Sequence, residues 1–309
     1  MNQMLLLIQG LPLLSLFAVL QIALASPEFK PDFSLLQPRS NREHQQLGDH
    51  PPFFRQYRRG SKQLIFMGAQ HTPRLNSSTH AMIRRLIHEF HPDCVVIEGL
   101  ETKEGTSPPG PLRDARHLIG QSQCPEPLYA ATLAADRGIP FLGGEPSSQV
   151  TLEALRAEGN PQDALGFLVL RQLGQLRREE TTAALDTSVQ RAIRELKRRF
   201  HLNAAMDVAD FKAWFQKKTG RRFEPRNVVG GMTAPVAESN PDFIRRQAIR
   251  VMLARERHLI GLWASLLAKY DRVLVIYGAG HFVYERAILE DLFGHPVRDT
   301  FEAPSPAPR

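Results

Sequence analysis

The chain has 309 residues, with 39 Lys plus Arg against 32 Asp plus Glu for a formal charge of +7, and 42% of it is hydrophobic. Those values exclude a disordered chain, a collagen-like repeat and a small disulfide-stapled scaffold, and they allow one large α/β domain to bury a full core. The sequence pI near 9.7 would point to nucleic acid only if the charge were concentrated. Its densest run, Arg177 to Arg199, is interleaved with Leu and Ile at helical spacing and carries no nucleic-acid-binding signature, so it reads as a solvated helix face. No nucleic-acid partner is expected.

Leu5 to Leu24 form an apolar run that ends in Ala23-Leu24-Ala25 ahead of Ser26-Pro27, the pattern of a signal peptide over residues 1–25 cut after Ala25. The mature protein is then exported, to the periplasm or the extracellular space. Left uncut, residues 5–24 are just long enough to anchor the chain in a bilayer, and no later segment could span one. Export permits disulfides, so a bridge between Cys94 and Cys124 is one option, but their contexts make no metal or redox motif.

Residues 26–59 are rich in Pro, Gln, His and Arg without clear periodicity and read as an irregular N-terminal arm. A single α/β domain is expected over 60–302. It opens with a strand from Leu64 to Met67, a helix from about Ser78 to Phe90 capped by Asn76 or Ser77, a strand from Cys94 to Ile97, a helix near Pro127 to Arg137 and a strand from Ile139 to Leu142. That alternation is the grammar of a mainly parallel sheet built from βαβ units. A helical insertion follows over about 151–222, then a long helix reaching about Tyr270, a strand from Arg272 to Tyr277, a helix from about Val283 to Phe293 and an edge strand near Val297 to Phe301. Residues 303–309 form a Pro-rich, frayed tail.

The first and last core strands end alike, in Gly68-Ala69-Gln70-His71 and in Gly278-Ala279-Gly280-His281. Parallel strands finish at one rim, where ligands collect, so both histidines are expected over the same edge. Gly68 and Gly278 let the chain turn there, or let a ligand approach the backbone. The middle strands run into acids, Val96-Ile97-Glu98-Gly99 and Gly143-Gly144-Glu145, and a carboxylate after a fully apolar strand needs a cation, a metal or a hydrogen-bonding partner. On the long helix Ile244, Ala248, Val251, Leu259, Leu262 and Leu266 make an apolar stripe, and Arg255 occupies the missing position. Its fork suits a rim carboxylate or a substrate oxyanion.

The paired Gly-x-x-His motifs, the Glu-Gly after the second strand, the Gly-Glu after the third and the Arg-x-Arg on the helix before the second Gly-x-x-His resemble the Tiki/TraB superfamily, which also gathers GumN, erythromycin-esterase-like and ChaN haem-binding groups. The resemblance covers about Leu64 to Phe293. By position His71, Glu98, Arg255 and His281 match the family's active-site motifs, with Glu145 a further member. This chain departs at Arg255-Glu256, where TraB-like members often carry Arg-Asn.

Two imidazoles and a carboxylate suit Mn, Co or Zn, with His71, Glu98 and His281 as the metal ligands. The expected activity is hydrolysis of a peptide amide or an ester, metal-dependent as the Tiki branch implies or metal-free as the erythromycin-esterase branch suggests. In either form Arg255 stabilises the oxyanion, on a peptide or small-molecule substrate. The ChaN branch implies another class, an envelope protein holding haem through a histidine; a third reading is a regulatory member without activity.

Overall fold

The computed structural model describes residues 29–47, 50–102, 109–173, 181–228 and 230–299. The expected signal peptide, Arg177, Arg178 and the C-terminal tail lie outside the described residues. The elements in chain order are α1 (Asn41–Leu47), β1 (Phe53–Arg59), β2 (Lys62–Ala69), α2 (Ser78–Phe90), β3 (Cys94–Glu101), α3 (Pro109–Gly120), α4 (Glu126–Ala135) and β4 (Phe141–Glu145). There follow α5 (Ser148–Arg156), α6 (Pro161–Leu173), α7 (Thr182–Arg199), α8 (Val208–Thr219), α9 (Phe243–Lys269), β5 (Arg272–Gly278), α10 (Ala279–Phe293) and β6 (Arg298–Asp299).

The six strands form one sheet in the order β4-β3-β5-β2-β1-β6. The four from β4 to β2 run parallel, and β1 and β6 add an antiparallel edge. This is the expected α/β class with a mainly parallel sheet. The apolar strand sequences are explained by helices on both faces, and alternation assigns each residue its side. Ile65, Met67, Val95, Ile97, Leu274 and Ile276 pack toward α2 and α4, while Leu64, Phe66, Val96, Val273, Val275 and Tyr277 pack toward α9 and α10. Ser77 caps α2 by accepting the His80 N–H, and His91 closes it in the left-handed region.

Several boundaries differ from the sequence expectation. Phe53–Arg59, placed in an irregular arm, is a strand paired along its whole length with β2 through the turn at Gly60, whose φ is +58°. The pairing is held by Phe53, Phe54 and Tyr57, all buried, so the polar residues between them occupy an edge strand. β3 runs past Ile97 to Glu101, β4 starts at Phe141 and ends on Glu145, and α10 begins at Ala279, which puts His281 in its first turn. Cys94 and Cys124 are free and buried. No bridge joins them because they belong to clusters on opposite faces of the sheet.

The helical insertion builds a core of its own. Leu165, Phe167, Val169, Leu170, Val189, Phe211 and Phe215 cluster with Ile244, Ala248 and Val251 from the first half of α9. The second half, with Met252, Leu259, Ile260 and Trp263, belongs to the core against the sheet. Arg255 and Glu256 therefore sit where α9 passes from one core to the other. Among the described residues no helix is long and apolar enough to cross a membrane.

Candidate active site

The parallel register sets Ala69 beside Gly278 and Ile97 beside Ile276, so β2, β3 and β5 reach the rim together. There the structure brings His71, Glu98, Arg255 and His281 into one cluster. Glu98 is its centre: Oε2 accepts the Gly278 N–H at 2.8 Å and lies 3.8 Å from His71 Nε2. Oε1 lies 3.3 Å from Arg255 Nη2 and 3.4 Å from His281 Nε2. Gly278 is required by this crowding, since a Cβ there would stand 2.7 Å from His71 Nε2. Gly68 serves packing instead of ligand approach. A Cβ on it would meet the Phe53 ring at 2.4 Å, so glycine at this position is what lets β1 lie against β2.

Glu145 joins the cluster through Arg255. The guanidinium donates from Nε to Oε2 at 2.8 Å and from Nη2 to Oε1 at 2.6 Å, a two-pronged ion pair. Burial opposes charge on all three groups, but the attraction between them wins. Arg255 is raised above its ordinary value by Glu145 and then Glu98. Glu98 is held well below the carboxylate range by His281, Arg255 and the Gly278 N–H; Glu145 is lowered by Arg255.

Each histidine has a second carboxylate behind it, and these two acids have no counterpart in the sequence motifs. His71 Nδ1 donates to Oε1 of Glu126, the first residue of α4, whose Oε2 accepts the Thr72 N–H at 3.2 Å. His281 Nδ1 donates to Glu256 Oε1 at 2.6 Å. Both acids are buried. With Nδ1 committed in each ring, the tautomer is fixed and Nε2 is the atom presented to Glu98. A third acid, Glu285, lies behind Glu256 and accepts the Trp263 Nε1–H at 2.9 Å. Burial and the Glu256 charge push its carboxyl well above the ordinary range.

The hydrogen bond to Glu126 raises the His71 pKa above its ordinary 6.5, against desolvation. For His281 desolvation lowers the pKa, but Glu256 and then Glu98 outweigh it and carry it up to about 10. His281 is therefore a cation at neutral pH.

A cavity of about 460 Å³ opens on these groups and is lined by His71, Arg255, Glu256, Gly278 and His281. The insertion supplies Phe167 and Arg171 from α6, α1 supplies Asn41 and His44, and Thr233 to Val236 close another side. The volume suits a small molecule or a short peptide segment. His80 is buried with Nε2 bonded to the Cys124 carbonyl at 2.9 Å and Nδ1 to Ser77 Oγ at 2.8 Å. His258 pairs with Thr102 Oγ1 at 2.9 Å.

The donors His71, His281 and Glu98 are of the types that hold Mn, Co or Zn, and in this structure Glu98 is engaged by other partners. Arg255 and His281 flank Glu98 Oε1 and the Gly278 N–H takes Oε2. Among the described residues no group of three or more His, Cys, Asp or Glu is disposed to bind a metal. Comparison of the chain with protein-family models, with curated proteins and with solved structures gives no match. The resemblance to the Tiki/TraB superfamily therefore rests on the motifs quoted above.

Proposed function

We propose that the protein is a hydrolase of amide or ester bonds, with His71 as general base and with His281 and Arg255 as fixed positive charges at the developing oxyanion. The observation that carries this reading is the unlike placement of two histidines facing one carboxylate, each with Nδ1 on a buried acid: His71 has 64% of its side chain exposed and His281 only 14%. Environments that push two similar groups apart assign them different roles.

Neutral His71, its Nδ1–H held by Glu126, takes a proton at Nε2 from a water that attacks the substrate carbonyl carbon. Negative charge gathers on the carbonyl oxygen. His281 remains protonated, and the Nη1 group of Arg255, which has no hydrogen-bond partner among the described residues, is left to stabilise the oxyanion. His71 then returns its proton to the leaving amine or alkoxide as the carbon–nitrogen or carbon–oxygen bond breaks. Glu98 and Glu145 keep both cations in place, and Glu126 and Glu256 are positioning residues.

The test is hydrolysis of a panel of chromogenic esters and N-acyl amides by the purified protein, its His71→Ala variant and its Glu98→Gln variant. Wild-type turnover that falls about 10²- to 10⁴-fold in His71→Ala with the fold intact is the expected result. Unchanged turnover in that variant overturns the mechanism. Stoichiometric metal by elemental analysis, lost in both His71→Ala and His281→Ala, would return the site to the metal-dependent form, and a Soret band on haem addition without any turnover would favour the haem-binding class.

A further inference from the structure

The cavity is lined by two guanidinium groups, and among the described residues only one of them is hydrogen-bonded to a carboxylate. Arg255 is forked onto Glu145 and touches Glu98. Arg171, partly buried on α6, lines the same cavity and makes no hydrogen bond or ion pair with any described residue. A guanidinium partly shielded from water and hydrogen-bonded to no described carboxylate keeps its donors available, and a matching anion that reaches it gains a charge-assisted pairing. Burial and the neighbouring Arg255 charge pull its pKa down to about 10, still high enough to keep it charged at neutral pH.

From this placement we infer that Arg171 binds a carboxylate of the substrate, so that the amide or ester cleaved belongs to an anionic molecule such as an N-acylated amino acid or a peptide with its free C-terminus. The inference rests on the hydrolase reading and adds the substrate class to it. A planar fork pairs with a carboxylate through two parallel hydrogen bonds. A phosphate dianion is a poorer match, because Glu98 and Glu145 stand close enough to Arg171 to act on its charge and would repel the second negative charge. Phe167, Pro235, Val251 and Met252 line the same cavity and give an aliphatic side chain beside the carboxylate somewhere to go.

The experiment compares N-acetyl-L-leucine with N-acetyl-L-leucinamide, which share shape and differ in the charge that Arg171 would read. Calorimetric binding is measured on the full-length protein and on Arg171→Met, Arg171→Lys and His71→Ala, each checked by thermal unfolding. The wild type should bind the acid at least about tenfold more tightly than the amide, the size of a charge-assisted hydrogen bond. Arg171→Met should bring that ratio to about one, Arg171→Lys should keep part of it, and His71→Ala should keep it whole. Binding of neither compound, equal affinity of the wild type for both, or a ratio that survives Arg171→Met overturns the inference. A wild type that hydrolyses neither compound yet prefers the acid through Arg171 would sink the hydrolase reading and leave the anion site standing.

Discussion

His71 and His281 follow the same Gly-Ala-x-His pattern at the end of the same kind of strand, yet the fold gives them different surroundings. His71 lies in a loop with 64% of its side chain exposed, while His281, in the first turn of α10, keeps 14%. Each has Nδ1 bonded to a buried carboxylate and Nε2 turned to Glu98, so the hydrogen-bond pattern is shared. What differs is water. Both rings face two carboxylates and are raised above 6.5, and the enclosed one is carried up to about 10. A repeated motif is thus turned into an unlike pair by its surroundings, with Glu256 and Glu98 raising His281 against the desolvation that burial imposes.

Removing each ring in turn gives the largest expected contrast. His281→Ala deletes the hydrogen-bond partner of Glu256, a fully buried carboxylate, and should lower stability by about 3–5 kcal/mol in denaturant unfolding. His71→Ala leaves Glu126 its bond to the Thr72 N–H and should cost only ~1 kcal/mol, while lowering turnover about 10²- to 10⁴-fold. Equal losses of stability would break the comparison.

The pH dependence of activity sharpens it. Turnover should rise as His71 loses its proton above 6.5 and fall as His281 loses its own near 10. Glu126→Gln should move only the acid limb, downward, and Glu256→Gln should move the alkaline limb from about 10 toward 6.5. Variants that shift both limbs together would show that the rings titrate as one unit.

A smaller effect is expected on the pH dependence of stability. The folded pKa of His281 is raised, so its contribution is complete below its unfolded value of 6.5 and is lost as pH rises through about 10. The folded pKa of Glu98 is depressed, so its contribution is present above 4.5 and is lost as pH falls. Unfolding midpoints should form a plateau between those limits, and Glu98→Gln should flatten the acid side.

Much of the rim was legible because apolar strands ending in His or Glu violate the expectation for solvent-facing turns, and the Arg255 position interrupts an otherwise regular stripe. The second carboxylates were not. Glu126 follows Pro125 at a helix start, where an acid is ordinary for reasons of the helix dipole, and Glu256 stands between two arginines like a surface charge. A signal for Glu256 did exist: Met252, Glu256, Leu259 and Trp263 recur at steps of four and three, placing the acid on a second buried face of α9. That face was hidden because α9 serves two cores, which one stripe cannot describe. β1 was missed for a related reason. Its Phe53, Phe54 and Tyr57 are buried but Arg55, Gln56, Arg58 and Arg59 dilute the pattern, as an edge strand allows. Arg171 looks like any helix arginine until α6 is packed against the rim.

The most direct test of the central claim, that two rings from opposite ends of the domain share Glu98, is the titration of both histidines by nitrogen NMR in the wild type and in Glu98→Gln. The wild type should show His281 doubly protonated at pH 8 with a midpoint near 10, His71 titrating above 6.5, and both midpoints falling when Glu98 loses its charge. Two ordinary midpoints near 6.5, or a Glu98→Gln variant in which only one ring or neither responds, would contradict it.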